Sequence, residues 1–120
     1  MTMNEEPVPQ VQIPGDSSNP EEAWEHLSAG LKARAMRTVY EDQQKLVIEL
    51  QRQLMETGAE YAVGVVHARA AQEMQQEALL QEIVDTEVLP KHKEIEALDK
   101  RLTHERQVLE VYTKIGKGIL

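Results

Sequence analysis

Met36, Tyr40, Val47, Leu50, Leu54 and Tyr61 recur in alternating steps of four and three, and Gln43 and Thr57 fill the remaining places. Seven residues make almost two turns of α-helix, so this spacing keeps one side of a helix turned toward a partner helix. Val39 and Leu46 lie beside the seam and widen it into a face suited to a bundle rather than a strict two-stranded zipper. Ile48 and Met55 lie off the seam, one heptad apart. A second apolar strip on one helix implies more than one neighbour. Gln43 stands inside the seam, where a polar residue either fixes register and partner number at a cost in stability or sits at a bundle edge and reaches water.

The seam resumes near the C-terminus in Ile95, Leu98, Leu102, Leu109 and Tyr112, broken by Glu105. The expected fold is all-α, an elongated helical hairpin or a three-helix bundle with coiled-coil seams, preceded by a disordered N-terminal tail. Two units follow: a flexible, proline-containing acidic tail over 1–19 and a helical domain over 20–120, with helices near 20–57, 59–89 and 91–115.

These boundaries rest on local signals. Asn19-Pro20-Glu21-Glu22 is a helix start, with a capping side chain, a proline preset for the first turn and two acids that suit the helix dipole. Trp24, Leu27 and Leu31 share a face, and Gly30 interrupts it with either a bend or the end of a short separate helix. Thr57-Gly58-Ala59-Glu60 has the form of a capping box after a helix stop, which makes a hairpin at Gly58. Alternatively Gly58 is carried inside one long helix at a cost of about 1 kcal/mol. Pro90 cannot donate a helical hydrogen bond and disfavours helix at Leu89, so a turn or sharp kink is expected there. In that hairpin Lys91, Lys93, Lys100 and Arg101 would lie beside Asp85, Glu82, Glu77 and Glu73. Gly116 and Gly118 end the last helix and leave Ile119 and Leu120 as a loose apolar end.

The tail itself holds Pro7, Pro9 and Pro14 with only Val8, Val11 and Ile13 as apolar anchors, too few to offset the entropy of ordering it alone. Those three residues, with Ile119 and Leu120, are the candidates for docking on a partner.

Little in the chain carries chemistry. There is no cysteine, hence no disulfide framework, thiolate metal site or cysteine nucleophile. His26, His67, His92 and His104 lack metal-ligand spacing, and a surface pair is the simpler reading of His92 and Glu96, one turn apart. No glycine-rich phosphate loop and no Ser/His/Asp constellation is present, so no catalytic, cofactor or metal residue is assigned and an enzyme is not expected. The net charge of -8 opposes a general nucleic-acid binder. The longest uncharged apolar run, 61–66, is far short of the roughly 20 residues a spanning helix needs.

The leading expectation is therefore a structural or scaffolding protein that self-associates through its helical seams and docks another protein. It would be cytoplasmic, or part of a virion if a phage or virus assembly component. A carboxylate at Leu50 is then expected to break assembly and one at Ile48 to do less. An acidic regulatory binder that occupies a basic site on a nucleic-acid enzyme is the alternative. A membrane-surface protein held by its C-terminal amphipathic stretch with Lys114 and Lys117 is a third.

Overall fold

A computed structural model describes residues 19–119, all helix apart from short connections. Helix α1 spans Pro20–Glu25, α2 Ala29–Glu73, α3 Glu77–Ile83 and α4 Leu89–Ile119, with a single π-helical turn, Val84–Val88, joining α3 to α4. Together α3, the π turn and α4 make one arm that folds back antiparallel along α2. The expectation of an elongated helical hairpin is met. The radius of gyration is 24.0 Å, against about 14 Å for a compact domain of this length. The proposed tail residues Val8, Val11 and Ile13, together with Leu120 and the side chain of Ile119, lie outside what the structure describes.

The N-terminal signals work as read. Asn19 Oδ1 accepts from the backbone N–H of Glu21 at 3.0 Å and of Glu22 at 3.4 Å. Helix α1 is short and separate, and α2 restarts with Ser28 Oγ accepting from the Leu31 N–H at 3.2 Å.

The interior boundaries differ from the expected ones. Gly58 lies in the middle of α2, which runs unbroken for 45 residues. The reason is on the seam: beyond Tyr61 the three–four steps continue through Gly64, Ala68 and Ala71, of which Gly64 and Ala71 are buried. Burial along that line outweighs the roughly 1 kcal/mol that one helical glycine costs. Thr57 is buried as well, and its hydroxyl donates to Glu94 Oε1 at 3.2 Å instead of capping a new helix.

The chain reverses later, at 74–76. Gln75 takes a left-handed φ of 58°. Its N–H donates to Gln72 O and that of Gln76 to Ala71 O, both at 3.0 Å. This pair of bonds is the Schellman closure of a helix end.

Pro90 is not a turn. It sits one residue into α4, directly after the π turn, in which the Leu89 N–H reaches back five residues to Val84 O. Proline lacks the N–H and crowds the carbonyl four residues back, and a widened turn just before it relieves both demands. The extra residue also re-phases the arm. Ile83, Glu87, Lys91 and Ile95 follow in steps of four before the three–four seam resumes. Residues 77–87 and 91–101 thus lie on one arm, so the acids of the first do not face the bases of the second.

Register is consistent along the hairpin: Met36 meets Gly116, Gln43 meets Glu105, Thr57 meets Glu94, Glu60 meets Lys91 and Gly64 meets Glu87. The main core is Val47, Leu50 and Leu102, with Leu46, Leu54, Leu98 and Leu109 packed around it. Toward the turn the side chains of α2 shrink, and Ala71 and Ile83 are the buried apolar residues there.

Candidate interaction surfaces

The seam residues read from the sequence come together inside one chain. Met36, Tyr40, Gln43, Val47, Leu50, Leu54 and Tyr61 on α2 and Ile95, Leu98, Leu102, Leu109 and Tyr112 on α4 are all buried or half-buried. Their contacts close the hairpin, so this seam is not free for a second copy. The two polar interruptions answer each other: Gln43 Nε2 donates to Glu105 Oε1 at 2.8 Å and to Glu105 O at 2.9 Å. A half-buried amide paired in this way costs little, and it sets where α4 stops sliding along α2.

Nearer the turn the contact becomes polar and close. Lys91 Nζ lies 2.9 Å from Glu60 Oε1 and 3.6 Å from Glu94 Oε1. The Glu60 carboxylate, chiefly, raises the Lys91 pKa above its ordinary value. Tyr61 and His92 rings stand 6.0 Å apart, tilted by 47°. Gly64 is the tightest point, where an added Cβ would meet Glu87 Cβ at 3.1 Å and Glu87 O at 3.2 Å.

The opposite side of α2 is open. Ile48, Met55, Val63 and Val66 are exposed by 59%, 76%, 53% and 64%. Ala59, Ala62 and Ala70 continue the same face and are exposed too. Arg52 lies among them, held on its own helix by Glu49 and Glu56. Its Nε donates to Glu49 Oε1 at 3.0 Å, and Gln53 Nε2 adds a bond to Glu49 Oε2 at 3.0 Å. These hydrogen bonds, Arg52's first, hold the Glu49 carboxyl down at about 2, and Glu49 in turn raises the Arg52 pKa. The cation in the apolar strip is therefore already neutralised. Ile48 and Met55 were visible from the sequence as a second strip. Val63 and Val66 were not assigned to it, because the expected stop at Gly58 broke α2 before them.

At the open end of the hairpin a cleft of about 710 Å³ runs between Met36, Tyr40 and Tyr112, with Arg37 and Lys117 among its walls. A neighbouring cleft of about 510 Å³ is closed on one side by Trp24 of α1, against Met36, Val39, Tyr112 and Ile115. Lys32 Nζ sits 5.7 Å from the centre of the Trp24 ring, the range of a cation–π contact. Trp24 is half-buried at this end of the molecule.

At the turn end Glu73, Glu77, Glu82 and Asp85 are exposed. Asp85 accepts from Gln81 Nε2 at 2.9 Å, and none of the four forms an ion pair among the described residues. His92 Nδ1 and Glu96 Oε1 are 3.7 Å apart on the surface. Among the described residues no group of three or more His, Asp or Glu is placed to hold a metal, and no helix is long and apolar enough to cross a membrane.

What this geometry defines is a class, the elongated antiparallel helical hairpin with one closed and one open face. No family model, curated protein or solved structure matches the chain.

Proposed function

We propose that this protein is a non-enzymatic structural component that self-associates through helix faces and presents its ends to a partner protein. One observation carries the reading. Among the described residues the hairpin fully buries Val47, Leu50, Ala71, Ile83 and Leu102 as apolar side chains, while Ile48, Met55, Val63 and Val66 stay exposed on a single helix face. Exposed apolar residues scattered singly are ordinary, but a contiguous strip of them marks an interaction surface. The molecule is elongated, measuring 73 × 44 × 18 Å, which suits a strut better than an enclosed site.

Light scattering coupled to size exclusion tests this. A mass that is a multiple of 13.6 kDa is expected at micromolar concentration. A single-chain mass over the whole accessible concentration range would overturn it.

The exposed turn end favours a second reading, an acidic binder that occupies a basic site on another protein. Glu73, Glu77, Glu82 and Asp85 remain unpaired to the bases of α4 and so are available to such a site. Competition between this chain and DNA for a basic DNA-binding enzyme, abolished by Glu77→Lys with Glu82→Lys, is the expected result under that reading. Unchanged DNA binding by the enzyme in the presence of excess chain would remove it.

A further inference from the structure

We propose that two copies of this chain pack antiparallel through the outer face of α2, with Ala59 on the two-fold axis between them. The inference rests on the self-association reading and gives it a surface, an orientation and a register.

At 3.6 residues per turn, Ile48, Arg52, Met55, Ala59, Val63 and Val66 share one stripe of α2. It lies on the side away from buried Leu50, Thr57 and Gly64. Among the described residues nothing covers this stripe, and its exposed apolar side chains recur at helical spacing. Ala59 and Ala62 at its middle allow two helices to approach closely.

Charge then selects the occupant. Two-fold symmetry about residue 59 sets Met55 level with Val63 of the second copy and Ile48 level with its Ala70. The same operation sets Lys45 level with Glu73, opposite signs at the edge of the stripe. Other arrangements fail on charge or on burial. An axis at residue 57 brings Ile48 to Val66 but sets Glu41 against Glu73. An axis at residue 55 sets Val63 against Val47, which already faces the hairpin core. A parallel pair sets each of Lys45, Arg69 and Glu73 against its own kind. Like charges brought together penalise the wrong pairing more than opposite charges reward the right one. The stripe is therefore self-complementary in one orientation, and a second copy of this chain is the partner it fits.

Arg52 does not spoil the contact. Glu49 and Glu56 neutralise it within its own helix, and its methylene stem adds apolar cover at the level of Val66 of the second copy.

The absence of cysteine makes the test clean, since any cysteine introduced is the only one. Residue 59 on a two-fold axis meets itself. Helices 8–10 Å apart then bring the two Cα atoms to about 5 Å, within disulfide reach. Full-length Ala59→Cys is expected to form a disulfide-linked dimer on air oxidation, and Thr103→Cys, exposed on α4, is expected to form none. Met55→Asp is expected to weaken dimerisation at least about a hundredfold, because two carboxylates enter the contact unpaired, with helicity by circular dichroism unchanged. Lys45→Glu and Glu73→Lys should each weaken it about tenfold at low salt, and the double variant should restore it.

The outcomes separate the two proposals. A wild-type chain that sediments as a monomer at all concentrations overturns self-association itself. A wild-type oligomer that Met55→Asp leaves intact, or in which Ala59→Cys oxidises no faster than Thr103→Cys, overturns this surface while leaving self-association standing.

Discussion

The two faces of α2 carry similar residues at similar spacing and meet opposite fates. On the inner face Leu50 is 1% exposed; on the outer face, five residues on, Met55 is 76% exposed. Connectivity makes the difference. The inner face has α4 as a partner on the same chain, delivered by a short turn at a small cost in loop entropy. The outer face has no such partner among the described residues. A heptad pattern thus states that a face wants a helix, but not whether that helix is in the same chain. The sequence reading assigned the inner seam to assembly. The structure closes that seam within one chain and leaves the other side of α2 exposed.

The largest test of this contrast is truncation on the two faces. Leu50→Ala removes a fully buried side chain between Leu46, Leu54, Leu98 and Leu102 and should lower stability by about 2–5 kcal/mol. Met55→Ala on the outer face should change the stability of the monomer by no more than about 0.5 kcal/mol. Urea unfolding at a concentration below association measures both. The same contrast reverses the sequence-based expectation for carboxylates: Leu50→Asp should unfold the hairpin, whereas Ile48→Asp should leave it folded and weaken association.

A second test compares two glycines six residues apart on α2. Gly64→Ala forces a methyl group against the backbone carbonyl of Glu87 in the π turn, at 3.2 Å. Overpacking of this kind costs about 1–3 kcal/mol, more than helix propensity returns. Gly58→Ala meets nothing within 4 Å and should raise stability by about 0.5–1 kcal/mol. Thermal melts of the two variants should move in opposite directions. If both stabilise, the arm does not approach α2 at Gly64 as closely as described.

These residues also show how much was legible beforehand. Helical class and both halves of the seam follow from spacing alone, and an elongated hairpin is one of the two folds that spacing allows. The Asn19-Pro20 cap was legible because its chemistry is local. The interior boundaries were not, because the usual punctuation sits in the wrong places. Gly58 and Pro90 are helical here, and the reversal falls on Met74-Gln75-Gln76, which carry no turn signal. A glycine costs about 1 kcal/mol in a helix, and tertiary burial on Gly64 and Ala71 exceeds that. The exposed outer strip was half legible: Ile48 and Met55 stood out, but Val63 and Val66 join them only once α2 is known to run on.

The polar pair inside the seam gives a smaller effect. Glu105→Ala removes the carboxylate that Gln43 Nε2 donates to at 2.8 Å and should cost about 1 kcal/mol. Replacing both, Gln43→Leu with Glu105→Leu, should be neutral or stabilising, because no buried polar group is left without a partner. A double-mutant cycle by chemical denaturation measures the coupling. Zero coupling would mean that the pair does not fix the register of α4 on α2.

The smallest effect belongs to the turn that separates the faces from a single continuous rod. Gln75 holds φ at 58° so that its N–H and that of Gln76 can close the end of α2 on Gln72 and Ala71. A residue with a Cβ pays roughly 1–2 kcal/mol to stand in that conformation. Glycine pays nothing there but loses about 0.5–1 kcal/mol through its freer unfolded chain. Gln75→Gly should therefore gain about 0.5–1 kcal/mol, and Gln75→Val, branched at Cβ, should lose a similar amount. The side chain of Gln75 is exposed and neither variant alters the backbone bonds that make the turn. A melt in which Gln75→Gly is the less stable of the two would place the reversal elsewhere. The rephasing of α3 and the π turn against Gly64 would then have to be drawn again.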